Sequence, residues 1–219
     1  LFTYILTDVL GLKADLAEGY SMGEVSMYAA LGCWQDPSVM SERLANSSSF
    51  TQQLCGPLAV LDNVWPQRQQ MQSPLWQSYT IKAPRQEVEA ICQRQEQVYC
   101  TIINTDNSVV VAGYPPACQQ VFQQLGVKAM PLHIDNIMHC SPVEQEYQAM
   151  VELYSVTVAE RIATKLYSSS CYLPIPQLSH AIAHSIAKGF CQPVDFPRLI
   201  QTLEQQGAKV FIEVGPGRA

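Results

Sequence analysis

The chain has 219 residues, 47% hydrophobic and 15% charged, enough for one sizeable core or for one core carrying an inserted unit. A formal net charge of -6, a pI near 5.2 and only 13 scattered Lys and Arg residues leave no footprint for a phosphate backbone, which argues against nucleic acid as a partner. No apolar run approaches the roughly 20 residues that cross a bilayer, and the first residues lack the basic start and small-residue cleavage site of a secretory signal, so no membrane partner and a cytoplasmic location are expected.

The chain starts at Leu1 without a methionine and stops at Ala219 directly after "EVGPGR", and is read as a piece cut from a longer protein. "TYILTDVLGL" is helix-like and ends at Gly11. Leu16 to Ser21 reads as a short buried strand running into the turn Gly19-Tyr20-Ser21-Met22-Gly23. Val25, Met27, Tyr28, Ala29, Ala30 and Leu31 then make an apolar helix suited to packing on a sheet. Pro37 opens a further helix through Met40 and Leu44, and "PQRQQMQSP" is a short Gln-rich linker.

From Gln77 the units become short and alternate. "SYTIKA" is a strand, "PRQEVEAICQRQ" a helix, "VYCTIINT" and "SVVVAGY" two strands, "PPACQQVFQQLG" a helix and "VKAMPLHI" a strand. The order β-α-β-β-α-β predicts a four-stranded ferredoxin-like (α+β) subdomain over 76–135, inserted in a large α/β subdomain of 1–75 and 136–219. Beyond it, helix is expected from Pro142 through "EQEYQAMVELYSVTVAERIA", then over "LSHAIAHSIAKGF", then over "DFPRLIQTLEQQGA", capped at Asp195 and stopped at Gly207. "KVFIEVGPG" reads as a strand ending in a Gly215-Pro216-Gly217 turn, and helix, strand and turn in that order suit the edge of a parallel α/β sheet.

Ser21 sits between glycines where a strand turns into a helix, the arrangement of a nucleophile elbow: a hydroxyl held clear of the backbone, with the helix N-terminus aimed at it and the Met22 N–H placed to bind an oxyanion. An ordinary Gly-flanked turn fits the same five residues. A serine hydroxyl needs a base, and the chain has His133, His139, His180 and His184. His139, in "NIMHCSP", lies where the two subdomains join, a natural cleft. The other three read as structural histidines. The eight cysteines form no CxxC pair and no Cys/His cluster of zinc spacing, so they read as reduced core thiols with no metal site.

Five segments in order, "GYSMGEVSMYAALG", "NTDNSVVVAG", "HCSP", "QPVDF" and "FIEVGPGRA", resemble the malonyl-CoA:acyl-carrier-protein transacylases and the acyltransferase domains of polyketide and fatty-acid synthases. With Tyr20 before the serine and "LGCWQDP" after the helix, the similarity is greatest to the acyltransferase branch of bacterial polyunsaturated-fatty-acid synthases. The resemblance implies an α/β-hydrolase-like core and a Ser21–His139 dyad. No cofactor would be bound; acyl-CoA and the phosphopantetheine of an acyl carrier protein would be substrates, and the carrier protein and the other synthase components partners. The imidazole would be oriented by the main-chain carbonyl of Gln192, before Pro193-Val194, and no triad acid is expected.

Two departures follow from the same comparison. The second oxyanion donor of the family lies on a loop before the point where this sequence begins. At the position where malonyl-selective members carry an arginine stands Asn46, with Arg43 the nearest arginine. An amide cannot neutralise a carboxylate in a dry pocket, so an uncharged or extended acyl group is expected. Arg43 reads first as a solvated surface residue, and Asn104 equally as a turn residue or as an active-site asparagine. A thioesterase on the same dyad, or a non-catalytic docking module of a synthase, are the alternative functions.

Overall fold

The structure, a computed structural model, describes residues 1–215. Elements follow in the order α1 (Phe2–Tyr4), a π-helical turn Ile5–Val9, β1 (Leu16–Ala17), α2 (Gly23–Ala30), α3 (Ser38–Asn46), β2 (Gln77–Ile81), α4 (Arg85–Cys92), β3 (Val98–Thr105), β4 (Ser108–Gly113), α5 (Pro115–Leu125) and β5 (Ala129–Leu132). A 3-10 turn Ser141–Glu146 then feeds α6 (Tyr147–Tyr154), followed by β6 (Lys165–Tyr167), β7 (Pro174–Ile175), α7 (Ser179–Cys191), β8 (Val194–Asp195) and α8 (Phe196–Gln205). Among the described residues no helix is long and apolar enough to cross a membrane.

Two sheets result. The smaller has the order β1-β6-β7, with β1 parallel to β6 and β7 antiparallel. The larger has the order β5-β2-β4-β3-β8. Its first four strands pair antiparallel, as the β-α-β-β-α-β pattern predicts, but a fifth, β8, joins from far along the chain and runs parallel to β3, pairing Ile102 with Val194 and Ile103 with Asp195. The expected four-stranded sheet is therefore five-stranded. A salt bridge from Arg85 to Asp195 at 2.7 Å fixes the added strand.

One face of this sheet packs Tyr79, Ile81, Val109 and Val111 against Val88 of α4 and Val121 and Phe122 of α5. The opposite face is also buried: Ile102 and Val110 pack with Val194 and Tyr20. Burial on both faces explains why "VVVA" in β4 is apolar without alternation. Trp76, stacked between Trp65 and Tyr99 with centroids 6.2 and 5.7 Å apart, ties the preceding loop to the sheet.

Three predicted elements differ. The strand expected over Leu16–Ser21 is confined to Leu16–Ala17 and is half-buried. Helix α6 ends at Tyr154 instead of continuing to Ala163. Val156, Thr157 and Val158 form a β-branched run that disfavours helix, and the Arg43 guanidinium donates to the carbonyls of Glu152, Leu153 and Ser155 at 3.3, 3.2 and 3.1 Å, satisfying the helix end. "KVFIEV" pairs with no strand among the described residues, and Val210, Phe211, Ile212 and Val214 are exposed. The segment runs beside the N-terminal turn of Phe2, Ile5 and Leu6. Pro216 and Gly217 of the predicted turn lie outside the described residues.

Candidate active site

The elbow is built by sterics. After β1 the chain turns sharply, with the N–H of Gly23 donating to Tyr20 O at 2.8 Å and that of Glu24 to Ser21 O at 3.1 Å. A Cβ on Gly19 would lie 2.1 Å from Glu24 N and 2.2 Å from the Gly23 carbonyl carbon, so only glycine fits there. A Cβ on Gly23 would meet nothing within 4 Å. The two glycines that flank the serine are thus unequal: the first permits the turn, the second only begins the helix. Ser21 itself holds φ +57°, the left-handed region, which points its side chain away from the backbone.

His139 reaches it from the 136–140 segment, also at positive φ, +60°. Ser21 Oγ is 2.6 Å from His139 Nε2, and His139 Nδ1 is 2.7 Å from the Gly189 carbonyl in the last turn of α7. A carbonyl only accepts, so Nδ1 carries the proton and Nε2 is left to accept from the serine hydroxyl. Burial pushes the His139 pKa down from 6.5 to about 4, with the Gly189 carbonyl opposing the shift, so the ring is neutral at pH 7 and available as a base. His133, His180 and His184 are exposed, and Tyr147 Oη contacts His184 Nδ1 at 2.8 Å.

The orienting carbonyl belongs to Gly189 and not to Gln192. Gln192 instead turns its side-chain amide to donate to the Ser170 carbonyl. The backbone is already extended at Gln192 in approach to β8, while the carbonyls of the last turn of α7 are free of i+4 donors and point towards the ring. Met22 N–H has no acceptor among the described residues and stands at the start of α2, free to meet an oxyanion.

Asn46 and Arg43 are not brought to this site. Both are exposed on α3; the Asn46 amide bonds back to the Glu42 carbonyl at 2.9 Å, and Arg43 is spent on the end of α6. Asn104 is held by the residue before Ser21, accepting a hydrogen bond from Tyr20 Oη at 2.7 Å. Burial lifts the Tyr20 phenol to about 12, so it stays a donor, and its ring packs edge-on against Phe196 at 5.2 Å.

A small cavity beside the dyad is lined by Ser21, Glu24, His139, Ser169 and Gly189, with Val25, Ile186 and Phe190 as its apolar wall. Sequence reasoning missed three of these. Gly189 acts through a backbone carbonyl, which leaves no mark in a sequence. Ser169 sits in a run of serines that reads as loop. Glu24 was findable, as a carboxylate on an otherwise apolar helix, one turn before Tyr28. Among the described residues no group of His, Cys, Asp and Glu is placed to hold a metal ion, and all eight cysteines are free.

No protein-family model matches the chain. It is 26% identical to a polyunsaturated fatty acid synthase polypeptide of a Thraustochytrium species over 98% of its length, while spanning only 11% of that protein. Among solved structures it is similar to MCAT of Streptococcus pneumoniae, at TM-score 0.73 and 22% identity over 98% of this chain and 67% of that one. A malonyl-transacylase crystallised in complex with a type II polyketide acyl-carrier protein gives TM-score 0.72 at 19% identity, over 99% and 67%. The chain has the α/β fold of the malonyl-CoA:acyl-carrier-protein transacylases, with two sheets.

Proposed function

We propose that this chain is the acyltransferase unit of a fatty-acid or polyketide-type synthase, moving an acyl group from acyl-CoA to the phosphopantetheine thiol of an acyl carrier protein. The observation that carries it is the 2.6 Å contact of Ser21 Oγ with a buried, neutral, carbonyl-oriented His139 on this fold. In the proposed cycle His139 Nε2 takes the Ser21 proton as Oγ attacks the thioester carbonyl, and the Met22 N–H meets the oxyanion. The imidazolium, held by the Gly189 carbonyl, returns its proton to the departing CoA sulfur and leaves an acyl-serine. The carrier thiol then reverses the sequence. No carboxylate is needed behind His139, because a carbonyl fixes the tautomer and stabilises the transient cation.

An uncharged acyl group is supported by α3, where Asn46 is exposed and bonds back to the Glu42 carbonyl while Arg43 is held by the end of α6, so neither is placed to pair with a carboxylate beside Ser21.

Intact-mass spectrometry with acetyl-, malonyl- and longer acyl-CoAs tests the proposal. It requires a covalent adduct on Ser21 that is discharged by phosphopantetheinylated carrier protein. Absence of any adduct overturns it, and release of free acid faster than transfer to the carrier makes the unit a thioesterase.

A further inference from the structure

We infer that Glu24 positions both halves of the dyad at once, by tying the elbow helix to the helix whose last turn orients His139. Glu24 is 3% exposed, and its carboxylate accepts four hydrogen bonds. Oε1 takes Tyr28 Oη at 2.9 Å and Ser185 Oγ at 2.5 Å; Oε2 takes the Ser169 N–H at 3.0 Å and Ser169 Oγ at 2.6 Å. One donor lies on its own helix. Three come from the 168–170 segment and from α7.

The two ends of this tie lead to the two members of the dyad. On α2, Glu24 is the second residue, and its N–H bonds the Ser21 carbonyl at 3.1 Å, so a shift of Glu24 moves the elbow. On α7, Ser185 lies four residues before Gly189, on the same helix face, and Gly189 is the carbonyl that holds His139 Nδ1. Ser21, His139, Glu24, Ser169 and Gly189 line the same cavity. Acyl transfer needs no carboxylate there, since the ring nitrogen is already met by a carbonyl. What it needs is register between two helices that are remote in sequence: a misplacement of about 1 Å between reacting groups costs on the order of 100-fold in rate. A buried carboxylate must keep its donors or lose far more than a neutral acceptor would, which makes it a stiff link. Glu24 is therefore a positioning residue, acting through Ser21 and Gly189.

The rate arm of the test rests on the acyltransferase reading; a second arm does not. Full-length Glu24→Ala, Glu24→Gln and Ser185→Ala proteins would be compared with wild type for single-turnover acylation by acetyl-CoA and, without any substrate, for the ring 15N signals of His139. Glu24→Ala should slow acylation about 100-fold with the donor KM within about threefold, and should shift or broaden the His139 signals. Glu24→Gln can offer its oxygen to Ser169 and its amide to the Tyr28 and Ser185 hydroxyls, which turn to accept, so the rate should return to within about fivefold and the signals with it. Ser185→Ala cuts the α7 arm, together with the Ser185 Oγ bond to Ser168 Oγ, and should displace the His139 signals and slow acylation about tenfold in a folded protein. If Glu24→Ala fails to fold, Ser185→Ala and Glu24→Gln decide. Unchanged His139 signals and a rate within threefold in folded Ser185→Ala would overturn the inference, as would a Gln variant as damaged as the Ala one. A wild type that forms no adduct counts against the acyltransferase reading alone, and the ring signals then decide the role of Glu24.

Discussion

Ser21 and His139 stand 118 residues apart in the chain, yet their side chains meet at 2.6 Å while both backbones hold left-handed conformations, φ +57° and +60°. Each such conformation costs a non-glycine residue roughly 1–2 kcal/mol, and each is held by local bonds: Glu24 N–H to Ser21 O at 3.1 Å, and His139 N–H to Phe190 O at 2.7 Å. Leu58, Gln97 and Tyr172 also hold positive φ among the described residues, so it is the direct contact between two such residues, and not the conformation alone, that fits a preorganised reacting pair. Ser21→Ala should abolish the acyl adduct and leave the circular dichroism spectrum unchanged. His139→Ala should slow acylation by about 100-fold or more; a loss under threefold would show that another group is the base.

The pH dependence of acylation follows from burial of the ring. Because desolvation lowers the His139 pKa from 6.5 to about 4, the acid limb of kcat/KM should lie near pH 4, well below that of an exposed imidazole. Rates measured from pH 3.5 to 8 would locate it, and a limb at 6.5 would contradict the neutral buried ring.

Stability should carry two opposing pH terms. For His139 the unfolded chain takes the proton from pH 6.5 downward and the folded chain only near 4, so stability falls as pH drops through that window. For Glu18, raised to about 7 by burial and then by the Glu24 charge, the folded chain keeps a proton that the unfolded chain has lost above 4.5, so stability falls as pH rises from 4.5 to 7. Each term is worth about 1–3 kcal/mol over its window. Relative to wild type, His139→Gln should gain stability as pH falls from 7 to 4.5, and Glu18→Gln as pH rises across the same range. Urea midpoints at four or five pH values would read both, and parallel curves would refute the assignment.

The two elbow glycines should respond oppositely to alanine. Gly19→Ala forces a methyl to within 2.2 Å of backbone and should cost more than about 3 kcal/mol or abolish acylation outright. Gly23→Ala meets open space in the first turn of α2 and should be neutral or stabilising by up to about 1 kcal/mol. Melting temperatures and adduct formation on the pair test this directly.

Donor choice should be indifferent to the arginine nearest in sequence. Acetyl-CoA should be used at least as well as malonyl-CoA, and Arg43→Ala should lower stability by about 1 kcal/mol through the loss of its bonds to the end of α6 while leaving the ratio of kcat/KM values unchanged. Since Asn46 is exposed and outside the cavity lining, Asn46→Arg should not raise that ratio in favour of malonyl either. A hundredfold malonyl preference lost in Arg43→Ala would reverse this reading of α3.

The sequence by itself determined what depends on neighbours along the chain. The glycine-bounded serine between a strand and an apolar helix, the β-α-β-β-α-β order, Asp195 capping α8 by accepting from the Arg198 N–H at 3.1 Å and Gly207 stopping it at φ +97° are all local patterns of side-chain size, periodicity and hydrogen bonding. Tertiary structure decided whatever passes through a backbone atom or a remote edge. The Gly189 carbonyl facing His139, the pairing of β8 with β3, the exposure of "KVFIEV" and the use of Arg43 as a helix cap carry no sequence signature, because every residue has a carbonyl and any apolar segment can be a strand. Glu24 lies between the two. Its carboxylate on an apolar helix was visible in the sequence, but its meaning came only when folding placed Ser169 and Ser185, 145 and 161 residues away, within hydrogen-bond reach, since a buried charge is stable only where its donors converge.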